Sequence, residues 1–400
     1  MPSSGGRPLR LGALIAGAIA VLLVGILIGG HPSWLPSPLR SAFVADDGTA
    51  VVRQAFDLLT RDYYRPLSRQ QLANQSVAGA VASLNDPFSH YFDARDYQAF
   101  GNESNPHLSG IGIGIKQERK GLRVNLVYPG TPAARAGLRA GDLIVAVGTT
   151  SLAGHNSTFG SRLIKGPAGT SVRLVLRRGA RTRTATVRRA DIVVPAADSS
   201  LVTVHGKRIG IVRLTSFTDG SGAEVRTEVR RVLAQGAQAI LLDLRQNGGG
   251  LLQEAVNVAS IFLSDGTVVS TEGRSQPRQV YVAKGDPLAP HLPVVVLVDS
   301  GTASAAEIVT GALQDRGRAK VVGTRTYGKG VFQELETLSD GGALDIVTGR
   351  WFEPSGRNVG GPGVTRGTGI RPNTAAALDP RSRTDRPLTV AERVLLSELR

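Results

Sequence analysis

PVVVLVDSGTASAAEIVTGAL, Pro293 to Leu313, is an apolar run that passes through a loop of small residues into a second apolar pattern. Pro293 to Val298 reads as a buried strand, and AAEIVTGAL spaces its apolar residues as a helix does. Ser304 falls at the strand-to-helix turn, where its hydroxyl is exposed and the N–H groups of the helix start lie beside it. Such a turn suits an acyl-transfer nucleophile, and an unaided serine needs a base. Around this stretch strands alternate with helices: KRIGIVRL, AEVRTEVRRVLAQG, AQAILLDLR, a helix after a glycine cluster, VVVLVD, the helix after Ser304, and RAKVVGT. That alternation predicts an α/β core over residues 196–378.

Two further stretches complete the chemistry. AILLDLRQNGGGLLQEAV, Ala239 to Val256, runs a strand into Gly248, Gly249 and Gly250 and then a helix. Glycines let the backbone turn its N–H groups toward a ligand. A phosphate cradle is disfavoured because neither GxxxxGK[ST] nor GxGxxG is present. An oxyanion hole is the better reading, with the Gly250 and Ala305 N–H groups as donors to a tetrahedral intermediate. Asp243 and Arg245 are expected to brace this loop as an ion pair. In YGKGVFQ, Tyr327 to Gln333, a lysine stands between two glycines. Lys329 serves as a general base if burial keeps it neutral. Gln333, four residues on, is expected to orient the amine without adding charge. His291 and His205 are poorly placed for a Ser-His-Asp arrangement.

The remaining chain sets the context. There is no cysteine among the 400 residues, which excludes a thiol nucleophile, a disulfide framework and a cysteine metal site. The six histidines form no HxxxH or HxH pair, so no metal site is expected, and no cofactor. The net charge of +15 is scattered, and nucleic acid is not expected as a partner. Residues 1–10 read as a cytoplasmic N-terminus and the uncharged run 11–30 as a transmembrane anchor of about 30 Å. Arg7 and Arg10 before it predict a single-pass protein of the cell membrane whose catalytic part is extracytoplasmic, periplasmic or extracellular. A cleaved signal peptide is the rival reading. Residues 31–45 read as a linker, 46–105 as a small helical region, and 379–400 as a C-terminal tail or helix.

Residues 106–195 change to alternating strands with two short helices, and RTRTATVRRA closes a hairpin around Gly179. GLRAGDLIVAVG, Gly137 to Gly148, resembles the corresponding part of a PDZ domain. The resemblance implies that Gly110, Ile111, Gly112, Ile113 and Gly114 form a carboxylate-binding loop that holds a protein C-terminal tail, with the next strand pairing to the peptide.

DLRQNGGGLL, SGTASAAEIVTGAL, GTRTYGKGVFQ and WFEPSGRNV, in this order, resemble the carboxyl-terminal processing peptidases, PDZ-containing serine proteases with a Ser–Lys dyad. YYRPLSRQQLANQSVAGAVASLNDPFSHYF resembles their N-terminal helical segment with its Leu-Asp-Pro turn. The resemblance implies a crotonase- or Clp-protease-like β-β-α core with an inserted PDZ domain. By it Ser304 is the nucleophile, Lys329 the base, Gln333 the lysine-orienting residue, and Gly250 and Ala305 the oxyanion donors. It also implies protein tails as substrates, with a homo-oligomer or regulatory partner left open. Gly248 stands where the family usually has proline, and Thr302 where serine is common. An inactive PDZ scaffold and an acyl-CoA enzyme of crotonase type are the competing readings.

Overall fold

The computed structural model describes residues 47–104, 107–361, 368–379, 381–382 and 384–399. Contacts divide the chain into two units, one ending at Ala80 and the other starting at Val81. In the first, helices Asp47–Asp62 (α1) and Arg69–Ala82 (α2) are linked by an Arg69–Asp57 ion pair. The expected transmembrane helix and single-pass membrane localisation are corrected. Among the described residues no helix is long and apolar enough to cross a membrane. The longest, α1, has 16 residues and carries charge throughout, short of the ~30 Å a bilayer core demands. The run 11–30 itself lies outside the described residues.

The second unit opens with strand His90–Phe92 (β1) and helix Ala94–Ser104 (α3). Strands His107–Gly110 (β2), Ile113–Glu118 (β3) and Gly121–Val127 (β4) follow, then the one-turn helix Pro132–Arg135 (α4). Leu143–Val147 (β5), Thr150–Ser151 (β6), helix Ser157–Ile164 (α5), Ser171–Arg178 (β7), Arg181–Arg188 (β8) and Ala190–Val193 (β9) complete this module. Its sheet runs β3-β4-β5-β7-β8, with β3 at an edge. Alternate residues of β7, Val172, Leu174 and Leu176, pack with Leu122, Ile144 and Val187, which is the strand period of two. The hairpin expected around Gly179 is present, with Arg178 opposite Arg181.

The core begins with Ala197–Val204 (β10) and Lys207–Leu214 (β11), helix Ser221–Ala234 (α6), Ala239–Asp243 (β12) and helix Leu252–Ala259 (α7). Thr267–Gly273 (β13), Gln279–Val282 (β14), Val294–Val298 (β15), helix Ala305–Asp315 (α8) and Lys320–Gly323 (β16) follow. The last elements are Val331–Thr337 (β17), Ala343–Phe352 (β18), Thr374–Ala375 (β19) and helix Arg386–Glu398 (α9). One sheet has the order β10-β11-β12-β15-β16-β19, parallel from β11 onward. Every residue of β12 and β15 is buried, as a parallel strand covered on both faces requires. Ile240, Leu242, Val294, Val296 and Val298 face a core that includes Val225, Val229 and Val232 of α6. The alternate residues Leu241, Val295 and Leu297 pack with Ala391 and Leu395 of α9. A second sheet has the order β1-β18-β13-β14, with β17 on β18. The expected α/β core with a PDZ-like module is therefore present.

Candidate active site

Ser304 precedes α8 and follows the carboxyl end of β15, and its backbone is strained. Its φ is +54° and ψ −119°, a conformation that residues with a Cβ seldom adopt. Several bonds hold it there. Ala303 N–H donates to Asn247 O at 2.9 Å, Tyr327 N–H to Thr302 O at 2.9 Å, and Thr302 Oγ1 to Leu244 O at 2.8 Å. Thr302, which stands where serine is common in the family the sequence resembles, is thus anchored by its hydroxyl.

The glycine loop docks against this turn. Asn247 fixes it from a buried position, donating through Nδ2 to Leu214 O (2.8 Å) and accepting from Gly249 N–H (2.9 Å). Phe217 N–H donates to Gly249 O at 3.0 Å, and Leu251 N–H to Phe217 O at 2.8 Å. Gly249 has φ +99°, and a Cβ there would stand 2.8 Å from Ser304 Cβ and 3.0 Å from Ala305 N. The glycine loop and the Ser304 turn therefore meet through a residue that has to be glycine. The N–H groups of Gly250 and Ala305 donate no hydrogen bond among the described residues. Arg245 braces the start of the loop, as expected. It forks onto Asp243 at 2.9 and 2.7 Å and reaches Asp385 at the start of α9 at 2.8 Å.

Glu307 ties the serine to the lysine, and sequence reasoning gave it no role. Its buried carboxylate accepts four hydrogen bonds. Oε2 takes Ser304 N–H and Lys329 N–H, each at 2.9 Å; Oε1 takes Gly328 N–H at 2.7 Å and Thr326 Oγ1 at 2.5 Å. Burial pushes this carboxyl above the usual range, and the four donors offset only part of that rise. The signal was present: Ser304-x-x-Glu307 has the spacing of a helix capping box.

Lys329 is half-buried, and loss of water holds its amine below the usual lysine range. The carboxylates of Asp345, Asp86 and Glu307 act the other way. Its carbonyl accepts from Trp351 Nε1 at 2.8 Å. A Cβ on Gly330 would stand 2.4 Å from Asn358 Oδ1, so this glycine permits the close packing. Among the described residues no hydrogen bond joins Lys329 Nζ to Ser304 Oγ or to Gln333. The amine lies over the Phe88 ring, 5.1 Å from its centroid. Gln333 Nε2 instead donates to Phe88 O at 2.9 Å and to Asp345 Oδ2 at 3.5 Å. The expected direct contact between Gln333 and the amine is not made. Phe88 and Asp345 had no signal in sequence, being remote from Lys329 along the chain.

The loop Gly110–Gly114 lies elsewhere, in the PDZ-like module. It borders a groove lined by Ile111, Ile113, Ile115, Ile164 and Lys165. Gly112 O accepts from Tyr128 N–H at 3.1 Å, and Ile111 O from Ala133 N–H at 2.8 Å. The N–H groups of Ile111 and Gly112 donate to no acceptor among the described residues. Beyond Gly112 the edge strand β3 carries Ile113 and Gly114.

Residues 208–370 match the model of peptidase family S41, and residues 123–178 match that of the PDZ domain. A probable CtpA-like serine protease of Staphylococcus haemolyticus is 30% identical over 321 residues. The photosystem II D1 C-terminal processing protease has the same architecture, with a TM-score of 0.53 and 28% identity over 88% of this chain and 98% of that one. By these matches the chain is similar to the S41 serine peptidases, and among them to the C-terminal processing peptidases. Residues 40–96 match a further family model, the activating protease CtpB N-terminal domain. A putative S41 protease from Bacteroides fragilis shares the fold, with a TM-score of 0.56 and 18% identity over 86% of this chain and 97% of that one. The alignment with the S. haemolyticus relative spans 80% of this chain and 64% of the relative's length.

Proposed function

We propose that this chain is an S41 endopeptidase that captures protein C-terminal tails and cleaves through Ser304 and Lys329. One observation carries the reading: a single oxygen of Glu307 accepts from the N–H groups of both residues, at 2.9 Å each. The two loops are thereby joined at their backbones, beside the unused N–H groups of Gly250 and Ala305. In the reaction Ser304 Oγ attacks the peptide carbonyl carbon while Lys329 Nζ takes the hydroxyl proton. The oxyanion that forms accepts from Gly250 and Ala305 N–H. Collapse of the intermediate breaks the C–N bond, and the lysine proton passes to the leaving amine. Water then hydrolyses the ester, with Lys329 again as base. Gly110 to Gly114 would hold the tail's carboxylate, with the peptide added as a strand to β3. The organisation we assign is 46–105 as the helical region, 106–195 as the PDZ domain, 196–378 as the peptidase core and 379–400 as the C-terminal segment.

The test is cleavage of an internally quenched peptide together with mass spectrometry after a serine-directed acylating probe. Wild type should cleave and carry the adduct on Ser304. Ser304→Ala and Lys329→Ala should each lose activity by at least a thousandfold, on the order expected for losing an essential group. A peptide that binds but stays intact in wild type would assign a scaffold role instead.

A further inference from the structure

Lys329 rests on an aromatic surface that is itself held in place. Phe88 N–H donates to Asp86 Oδ1 at 3.0 Å, closing a turn at Asp86-Pro87. Its carbonyl accepts from Gln333 Nε2 at 2.9 Å, and its ring meets Tyr327 edge-on at 6.5 Å. The next residue, Ser89, is buried; it donates to Asp86 Oδ2 at 2.5 Å and accepts from Val347 N–H at 3.1 Å. Beyond it, β1 pairs with β18. Gln333 does not reach the amine, but it does reach the residue under the amine.

We propose that Phe88 is a positioning residue for Lys329: its ring face holds the ammonium that forms when the amine takes the Ser304 proton, and Gln333 acts on the lysine through the Phe88 carbonyl. This rests on the reading of Lys329 as the base. Two effects of the ring oppose each other. Its face attracts a cation, more strongly when water is excluded. Its apolar bulk keeps water away, which favours the neutral amine. Substitution separates them. Leucine keeps the apolar cover and loses the π face, alanine loses both, and tyrosine keeps both. The other charged and titratable groups around the amine are Asp345 and Asp86, with Glu307 beneath the backbone, Tyr327 beside Phe88, and His90 opposite Asp345 across the β1–β18 pair. None is changed by these substitutions.

The experiment reads the amine without requiring cleavage. In the full chain carrying Ser304→Ala, trace acylation by acetic anhydride is followed across pH at Lys329 by mass spectrometry. The rate tracks the neutral amine and gives its midpoint. Phe88→Leu should lower that midpoint by about half a unit to one unit. Phe88→Ala should raise it, and Phe88→Tyr should leave it in place. A variant that failed to fold would release Lys329 to water and raise the midpoint, so unfolding cannot imitate the downward shift. In the chain that retains Ser304, the rising limb of kcat should move with the same midpoint while KM holds. A Phe88→Leu midpoint equal to that of Phe88 and Phe88→Tyr overturns the proposal, even if the chain cleaves peptides. A shifted midpoint in a chain that cleaves without Lys329 would keep the platform and sink the base assignment.

Discussion

Glu307 organises the site at the scale of one residue. Its carboxylate accepts four hydrogen bonds in a buried position, and an amide presents two donors to partners that are themselves donors. Glu307→Gln should therefore cost about 1–3 kcal/mol of stability and at least tenfold in kcat. Thermal unfolding and peptide cleavage measure the two. As the proposed base, Lys329 sets the expected pH response. Burial lowers its folded pKa below 10.5, so cleavage should rise with pH and reach half its maximum below that value. The sign for stability follows: the unfolded lysine keeps its proton up to about 10.5, while the folded one releases it earlier. The unfolded state binds more protons across that window, so this group makes stability rise with pH there. Lys329→Met should flatten that slope in denaturant titrations. The glycines of the loop are not alike. Gly249→Ala would set a Cβ 2.8 Å from Ala303 O at φ +99°, and should abolish cleavage. Gly248 has open space around its notional Cβ and no positive φ, so Gly248→Ala should raise stability by about 0.4–1 kcal/mol. Thermal unfolding of both variants checks the contrast.

Between elements, the site is held by loops that follow the carboxyl ends of parallel strands. β12 feeds the glycine loop and β15 feeds Ser304, and their pairing in one sheet brings the two loops together. Arg245 carries the brace from the end of β12 to α9 through Asp385, which also caps that helix by accepting from Leu388 N–H at 3.1 Å. Asp385→Ala should lower stability by about 1–2 kcal/mol, as loss of a helix cap does, while kcat stays near wild type because Asp243 still forks Arg245. Calorimetry and the cleavage assay measure these separately. The strand geometry also explains why Gln333 misses the amine. The spacing of four suggested a local contact. Lys329, however, lies before β17 and Gln333 within it, and the pairing of β17 with β18 shifts register between Phe332 and Gln333, so a spacing of four does not set the two side chains against each other. The second sheet decides instead: β18 places Asp345 beside Gln333, and β1 on β18 sets Phe88 under its Nε2.

At the scale of the molecule, the PDZ-like module and the α/β core have separately packed clusters, and the proposed binding and chemistry fall one to each. Gly112→Ala tests the division. It places a Cβ 2.4 Å from Thr131 Cβ at φ +82°, so affinity for a peptide with a free C-terminus, read by fluorescence polarisation, should fall at least tenfold, on the order of one lost charged hydrogen bond. Labelling of Ser304 by the acylating probe should persist. What the sequence determined alone was local. Strand-to-helix turns, glycine runs and the apolar alternation of buried strands are short patterns, and they marked Ser304, Lys329, the glycine loop and the α/β core without reference to distant residues. Glu307 stood within that local range as a capping-box partner, although its two bonds to the lysine loop span 21 and 22 residues. Phe88 and Asp345 lay outside it. Gln333 meets Phe88 across 245 positions, through a sheet whose strands come from opposite ends of the chain. No periodicity records such a meeting, because strand pairing over that distance is fixed by how the whole core packs and not by any neighbouring residue. The chemistry proposed for the lysine was therefore read from the sequence, while the surroundings that tune its proton arose only when the fold closed.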